Sequence, residues 1–154
     1  MLAHHPTEKM EVALRKRVEA HLDQGFDNAY LQNPHVAALI QDTLLLFDGE
    51  RYKLSAWVIM PNHMHLLLKP IEGHTLSGIL HSLKSYTASE ANKLLNRKGK
   101  FWMEDYFGRY IRNAEHFART VVYIESNPVK ARLCKEPSEW RFSSAWMRAH
   151  KEVN

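Results

Sequence analysis

Apolar residues recur with a period of two between positions 51 and 60, and this pattern constrains the fold most strongly. Tyr52, Leu54, Ala56, Val58 and Met60 alternate with Lys53, Ser55, Trp57 and Ile59. Such alternation predicts a strand that is buried on much of both faces. Pro61-Asn62 interrupts the pattern, and "HMHLLLK" after it is typical of the return strand of a β-hairpin. A sheet therefore lies at the centre of the predicted fold.

Helices are predicted on both sides of this hairpin in the sequence. The predicted helices cover residues 8–24, 33–47, 75–95 and 113–128, and a third strand covers residues 101–111. Gly25 is expected to close the first helix, Asn33 and Pro34 to begin the second, and Asn113 to begin the fourth. The fourth is expected to stop at Pro128. This order favours an α+β domain, an open antiparallel sheet backed by helices.

Length and composition describe one globular domain. The 154 residues contain no internal repeat and no Gly/Ser linker. We divide them into a helical N-terminal part (1–47), a core (48–133) and a C-terminal cover (134–154). No membrane span or signal peptide is expected, and the single cysteine excludes an intramolecular disulfide, so a cytoplasmic protein is expected. A net charge of +4 indicates a polyanionic partner without naming one.

His63 and His65 are the first candidate site residues. Residues two apart in a strand point to the same face, so the two imidazoles project together and could grip one metal ion. The alternative is that both rings lie at the mouth of the hairpin and hydrogen-bond to backbone groups.

The fourth predicted helix carries a polar stripe beside an apolar one. His116, Thr120, Tyr123 and Asn127 fall within a stripe about 60° wide, because their spacings follow the helical turn. Phe117, Val121 and Ile124 form the stripe expected to enter the core. Taken alone, Tyr123 could be a half-buried aromatic residue, and Asn127 could simply end the helix before Pro128.

Together the two features suggest a chemistry. His63, His65 and the side-chain carbonyl of Asn127 could make a three-ligand metal site with open positions, and Tyr123 lies one helical turn before Asn127. A metal that polarises a phosphodiester, beside a tyrosine that can attack it, could nick DNA through a phosphotyrosine.

Several segments resemble a known family. "AWVIMPNHMHLLL", "FWMEDYFGRYIRN", "YIESNPVKARL" and "WRFSSA" are similar, as an ordered set, to the single-tyrosine HUH transposases, in particular the REP-associated tyrosine transposase branch. The HUH motif, two histidines around a hydrophobic residue, matches His63-Met64-His65. The resemblance covers residues 48–145.

The resemblance implies a ferredoxin-like sheet and a metal-dependent DNA transposase. Such enzymes nick and rejoin single-stranded DNA near a hairpin, through a 5′-phosphotyrosine, with Mg²⁺ or Mn²⁺ as cofactor. The nucleophile maps to Tyr123 and the metal ligands to His63, His65 and Asn127. His116 and Thr120 could support these groups, although a helix-surface role is the alternative for each. We expect a monomer or homodimer whose site assembles within one chain.

Cations near these motifs are candidates for DNA binding. They are Arg97, Lys98, Lys100, Arg109, Arg112, Lys130 and Arg132, with Trp102 as a stacking platform. For the segment from Arg97 to Trp102, the alternative is a solvated basic turn followed by a core aromatic pair.

One departure from the family is expected at the N-terminus. The family's chain begins with a central strand, whereas "MLAHHPTEKMEVALRKR" leads directly into the predicted first helix, so the first strand is expected to be missing. This expectation keeps a non-catalytic DNA-binding descendant open as an alternative function. A small metal-binding domain unrelated to DNA is a third hypothesis.

Overall fold

A computed structural model describes residues 14–25 and 28–151. Its strands are β1 (Val18–Asp23), β2 (Tyr52–Ile59), β3 (His63–Pro70) and β4 (Phe107–Tyr110). Its α-helices are α1 (Pro34–Leu46), α2 (Leu76–Leu94), α3 (Ala114–Lys130) and α4 (Ser144–Ala149). Two short 3₁₀ turns, Tyr30–Gln32 and Pro137–Glu139, complete the described elements. No helix within the described ranges is both long and apolar enough to cross a membrane.

The four strands form one antiparallel sheet in the order β2-β3-β1-β4. This is a ferredoxin-like α+β arrangement, as expected. The hairpin of β2 and β3 is also as expected, but β1 lies between β3 and β4 and hydrogen-bonds to both.

The prediction of a missing first strand is therefore wrong, and so is the first predicted helix over residues 18–23. Residues 8–13 of that predicted helix lie outside the described residues, and Leu14 and Arg15 are helical. In β1, Val18, Ala20 and Leu22 are fully buried, while Glu19 and His21 point to the opposite face. Helix-forming residues precede and enter this segment, so local propensity favoured a helix. Pairing with two neighbouring strands overrides that propensity.

The sheet has a core on each face. Ala20 and Leu22 pack with α1 and α2 on one side, whereas Leu67 packs with Ile124 of α3 on the other. A register shift between Leu54 and Ala56 reverses which residues of β2 face each core. As a result, Tyr52, Trp57 and Ile59 belong to the first core, and Ala56, Val58 and Met60 belong to the second.

Helix α3 begins as expected and ends later than expected. The Asn113 side chain caps it by accepting a hydrogen bond from the backbone N–H of His116 at 2.8 Å. The helix does not stop at Pro128, because that buried proline lies inside the last turn and the helix continues to Lys130. A proline lacks one backbone donor, and the final turn is closed instead by the Ala131 N–H on the Asn127 carbonyl at 3.0 Å.

The C-terminal part covers the free edge of β2. The Trp140 indole donates to the Ile59 carbonyl at 2.9 Å, and the Ile59 N–H donates to the Phe142 carbonyl at the same distance. The buried carboxylate of Glu125 on α3 accepts hydrogen bonds from Ser144 at 2.6 Å and from both terminal nitrogens of Arg148. These contacts fasten the tyrosine-bearing helix to the cover.

Candidate active site

Three histidines from two adjacent strands meet on the sheet face that α3 covers. His65 of β3 lies opposite His21 of β1 in the strand register, and His63 lies two residues before His65. The ring centroids are 4.4 Å apart for His21 and His65, 5.0 Å for His21 and His63, and 5.1 Å for His63 and His65. The sequence predicted the pair on β3, and the structure adds His21.

The environment of His63 and His65 favours their neutral form. Burial, reinforced by the neighbouring His21 and His63, lowers the pKa of His65 to about 3. Burial also lowers the pKa of His63, with His21 adding to the effect. A neutral imidazole has a free nitrogen lone pair, which is the form that coordinates a metal.

The donor set fits a metal ion. One ring nitrogen from each histidine lies within 4.8 Å of the others. Nε2 of His21 and Nδ1 of His65 are buried and have no hydrogen-bond partner in the described part of the chain. The Asp23 carboxylate is 3.7 Å from Nε2 of His21, which is beyond hydrogen-bond distance. A buried nitrogen without a partner is costly in a purely structural cluster, and a shared cation would relieve that cost. His63 Nδ1 is already 2.7 Å from Asn62 Oδ1, a contact that orients its ring.

Tyr123 lies directly beside the histidines of its own chain. Its ring meets that of His65 edge-to-face, with centroids 5.7 Å apart, and its side chain is half exposed. Lys130 places its ammonium group 5.0 Å from the centre of the Tyr123 ring. Asn127 donates its amide N–H to the Tyr123 carbonyl at 3.0 Å, which leaves its Oδ1 available to another group.

Basic side chains line a recess of about 260 Å³ next to the nucleophile candidate. Its walls carry Arg109, Arg112, Arg119, His116, Thr120, Glu19 and Tyr123. His116 and Thr120 are both buried, so the helix-surface alternative does not describe them. Of the predicted DNA-binding residues, the structure therefore brings Arg109, Arg112 and Lys130 to Tyr123, whereas Arg132 is exposed beyond the end of α3.

The segment from Arg97 to Trp102 has a different role from the one expected. Trp102 is buried, packs edge-to-face on Phe101 and donates its indole N–H to Thr87, so it offers no stacking surface. Arg97 donates hydrogen bonds to the Asn92 side chain and to the Lys100 carbonyl. The core aromatic pair is the correct alternative for Phe101 and Trp102, while Lys98 and Lys100 remain exposed.

Sequence reasoning missed two residues of this face, His21 and Phe107. Phe107 lies opposite His21 in the register, so its exposed side chain projects beside the three histidines. The signal for His21 was present in "VEAHLD", whose apolar residues alternate with Glu19, His21 and Asp23. Phe107 gave no comparable signal, because nothing in the sequence distinguishes an exposed phenylalanine from a core one.

Known proteins resemble this chain in sequence and in fold. A REP-associated tyrosine transposase of Escherichia coli (strain K12) is 32% identical over 94 residues, which span 60% of this chain and 54%, about half, of that protein. A solved structure described as a REP-associated tyrosine transposase bound to a REP hairpin matches 98% of this chain and 87% of its own, with a TM-score of 0.69 and 19% identity. A putative transposase from Deinococcus radiodurans R1 matches 71% and 88%, with a TM-score of 0.51 and 19% identity.

The family model described as "Transposase IS200 like" matches residues 30–127. This range includes the two histidines of β3, Tyr123 and Asn127, and it begins after β1. Since it covers more than half of the chain, the protein belongs to the IS200-like transposase family.

Proposed function

We propose that this protein is a metal-dependent DNA transposase that nicks and rejoins single-stranded, hairpin-associated DNA through a 5′-phosphotyrosine on Tyr123. The observation that carries the proposal is the position of Tyr123, whose ring touches the three-histidine cluster of the same chain. Family membership supports the reaction class, and the fold neighbour described as bound to a REP hairpin supports the substrate class.

His63 and His65 would hold the ion, with His21 and the Oδ1 of Asn127 as the further ligands. The sequence predicted Asn127 as a ligand, and the geometry of the described residues adds His21. Mg²⁺ or Mn²⁺ is the expected ion, and a set rich in imidazole favours Mn²⁺ over Mg²⁺ in affinity. When bound, the ion would polarise the scissile phosphate and stabilise the charge that develops on it.

The residues of the chain perform the transfer. The Tyr123 hydroxyl oxygen attacks the phosphorus and loses its proton to solvent, while the bond from phosphorus to the 3′ oxygen breaks. The departing oxygen keeps the bonding electron pair and takes up a proton, which leaves a free 3′ hydroxyl and a 5′ phosphate on Tyr123. A 3′ hydroxyl of another strand reverses these steps, so the energy of the phosphodiester is conserved.

The DNA contacts that we propose lie on the face of the three histidines. Phe107 replaces Trp102 as the aromatic platform, because it is 57% exposed next to His21 whereas Trp102 is buried. A base of a single strand can stack on such a ring without regard to sequence. Lys130 would neutralise phosphate charge beside Tyr123, and the exposed Lys98, Lys100 and Arg132 would contribute more distant contacts.

The non-catalytic alternative loses its main support. It depended on a missing first strand, and β1 is present between β3 and β4. Strand β1 also contributes His21 to the histidine cluster, so no gap is left beside the cluster.

The deciding experiment uses a library of single-stranded hairpin oligonucleotides with randomised flanks, incubated with the protein and Mn²⁺. We expect a protein–DNA adduct that survives denaturation. Tyr123→Phe should abolish it and leave DNA affinity within about threefold, since only the nucleophilic hydroxyl is removed. Tyr110→Phe, at a more exposed tyrosine, is the matched control and should retain the adduct. An adduct that persists in Tyr123→Phe would identify a different nucleophile, and binding without any adduct would favour the non-catalytic descendant.

A further inference from the structure

The recess beside Tyr123 is lined by basic side chains and by one buried carboxylate. Glu19 of β1 is almost completely buried, and its carboxylate accepts from the Arg109 guanidinium at 3.1 Å. Arg112 and Arg119 also line the recess, so three arginines and one buried carboxylate lie together there. The only other ion pair described at this wall joins Arg119 to the exposed Glu115 at 3.9 Å. Such exposed pairs contribute little, and an incoming anion can displace them.

His116 lines the recess as a neutral hydrogen-bonding group. The backbone N–H of Arg112 donates to its Nδ1 at 3.0 Å, so the proton of the neutral ring is on Nε2. Burial lowers the pKa of His116, and the nearby Arg112, Arg109 and Arg119 lower it further. The ring therefore adds an N–H donor to this part of the molecule without adding a charge.

The residues that line the recess are positioned by three elements, β1, β4 and α3. Arg109 is on β4, held to β1 by Glu19, while Arg119, Thr120 and Tyr123 are on α3, whose first turn is capped by Asn113. The Thr120 hydroxyl donates to the His116 carbonyl at 2.8 Å, which fixes that side chain as well. Tyr123 lines the same recess, so a group held here lies beside this residue.

We infer that this recess is a phosphate subsite: it binds a non-scissile phosphate of the single strand, close to the bond that Tyr123 attacks, and so positions the strand for cleavage. The inference rests on the proposed function and adds the residues that determine which nucleotide of the DNA strand lies at Tyr123. Arginine suits this task because its planar guanidinium can bind a phosphate through two parallel N–H donors. Arg112 and Arg119 contact the phosphate directly, and Glu19 acts as a positioning residue for Arg109.

The test measures whether these arginines and one particular phosphate act together. The probe is a hairpin oligonucleotide with thymidine flanks, in which a neutral methylphosphonate replaces one linkage at a time. Binding is measured to Tyr123→Phe protein, which removes the chemistry, and to the same protein carrying Arg112→Gln and Arg119→Gln. Arg109 is left intact because its removal would strand the buried Glu19 carboxylate.

We expect neutralisation of one linkage to weaken binding to the Tyr123→Phe protein about tenfold, and to have less than about a twofold effect once both arginines are gone. The slope of affinity against salt concentration should also become shallower by about 0.7 for each phosphate that the protein no longer neutralises. Lys93→Gln, which removes an exposed cation on α2, is the matched control and should leave the sensitive linkage unchanged. The subsite would be overturned if neutralising a linkage weakened binding equally with and without the two arginines. It would also be overturned if no linkage affected binding more than its neighbours did. A Tyr123→Phe protein that binds no single-stranded DNA at all would instead contradict the proposed function.

Discussion

His21 changes the composition of the candidate metal site at the scale of a single residue. The family motif supplies two imidazoles from β3, and the described structure places a third from β1 within reach of both. An additional imidazole ligand strengthens the preference for Mn²⁺ or Zn²⁺ over Mg²⁺, because nitrogen ligands suit the transition metals better. This chain should therefore bind transition metals more tightly than a site with two histidines and one amide.

We expect His21→Ala to weaken Mn²⁺ binding at least about tenfold, since one of the coordinating groups is removed. Isothermal titration of metal-free protein with Mn²⁺ measures this without reference to DNA cleavage. His35→Ala, at an exposed histidine at the start of α1, should leave the affinity unchanged. Unaltered affinity in His21→Ala would mean that the ion depends on His63, His65 and Asn127 without the β1 imidazole.

At the scale of elements, the features marked by local chemistry were predictable and the central strand was not. Pro61-Asn62 identified the hairpin, and Asn33, Thr75 and Asn113 cap their helices through side-chain oxygens. Strand β1 was misassigned because helix-forming residues precede it, and the alternation within "VEAHLD" is only six residues long. The register shift in β2 was equally hidden, since an alternating apolar pattern does not reveal where a bulge reverses it.

The central position of β1 makes a specific prediction about stability. Leu22 is fully buried in the core formed with α1 and α2, so Leu22→Ala should lower the free energy of unfolding by about 2–5 kcal/mol. Leu46→Ala removes the same atoms from a side chain that is 67% exposed and should change stability by less than about 0.5 kcal/mol. Chemical denaturation of the two variants gives the comparison. Equal stabilities would show that β1 does not belong to the core.

At the scale of the whole molecule, one chain places the proposed nucleophile beside its own three-histidine cluster. The rings of His65 and Tyr123 are in contact within the chain, and β1 occupies the place between β3 and β4 that a missing strand would leave open to a second chain. The structural reason for a shared site is therefore removed, which favours assembly of the active site within each monomer.

Mixing two inactive proteins tests this assembly. Tyr123→Phe lacks the nucleophile, and His63→Ala/His65→Ala lacks the metal ligands, so each should form no adduct alone. The mixture should remain inactive, because neither protein can complete its own site. Recovered adduct formation in the mixture would show that sites are shared between chains.

The spacing of the site along the sequence has a consequence for synthesis on the ribosome. Three histidines come from strands near positions 21 and 63–65, whereas the nucleophile is at position 123 and the residues that fasten its helix to the cover are Ser144 and Arg148. A nascent chain therefore contains the three proposed metal ligands before it contains Tyr123. Under the proposed function, a polypeptide that terminates before position 123 lacks the nucleophile and cannot form the phosphotyrosine.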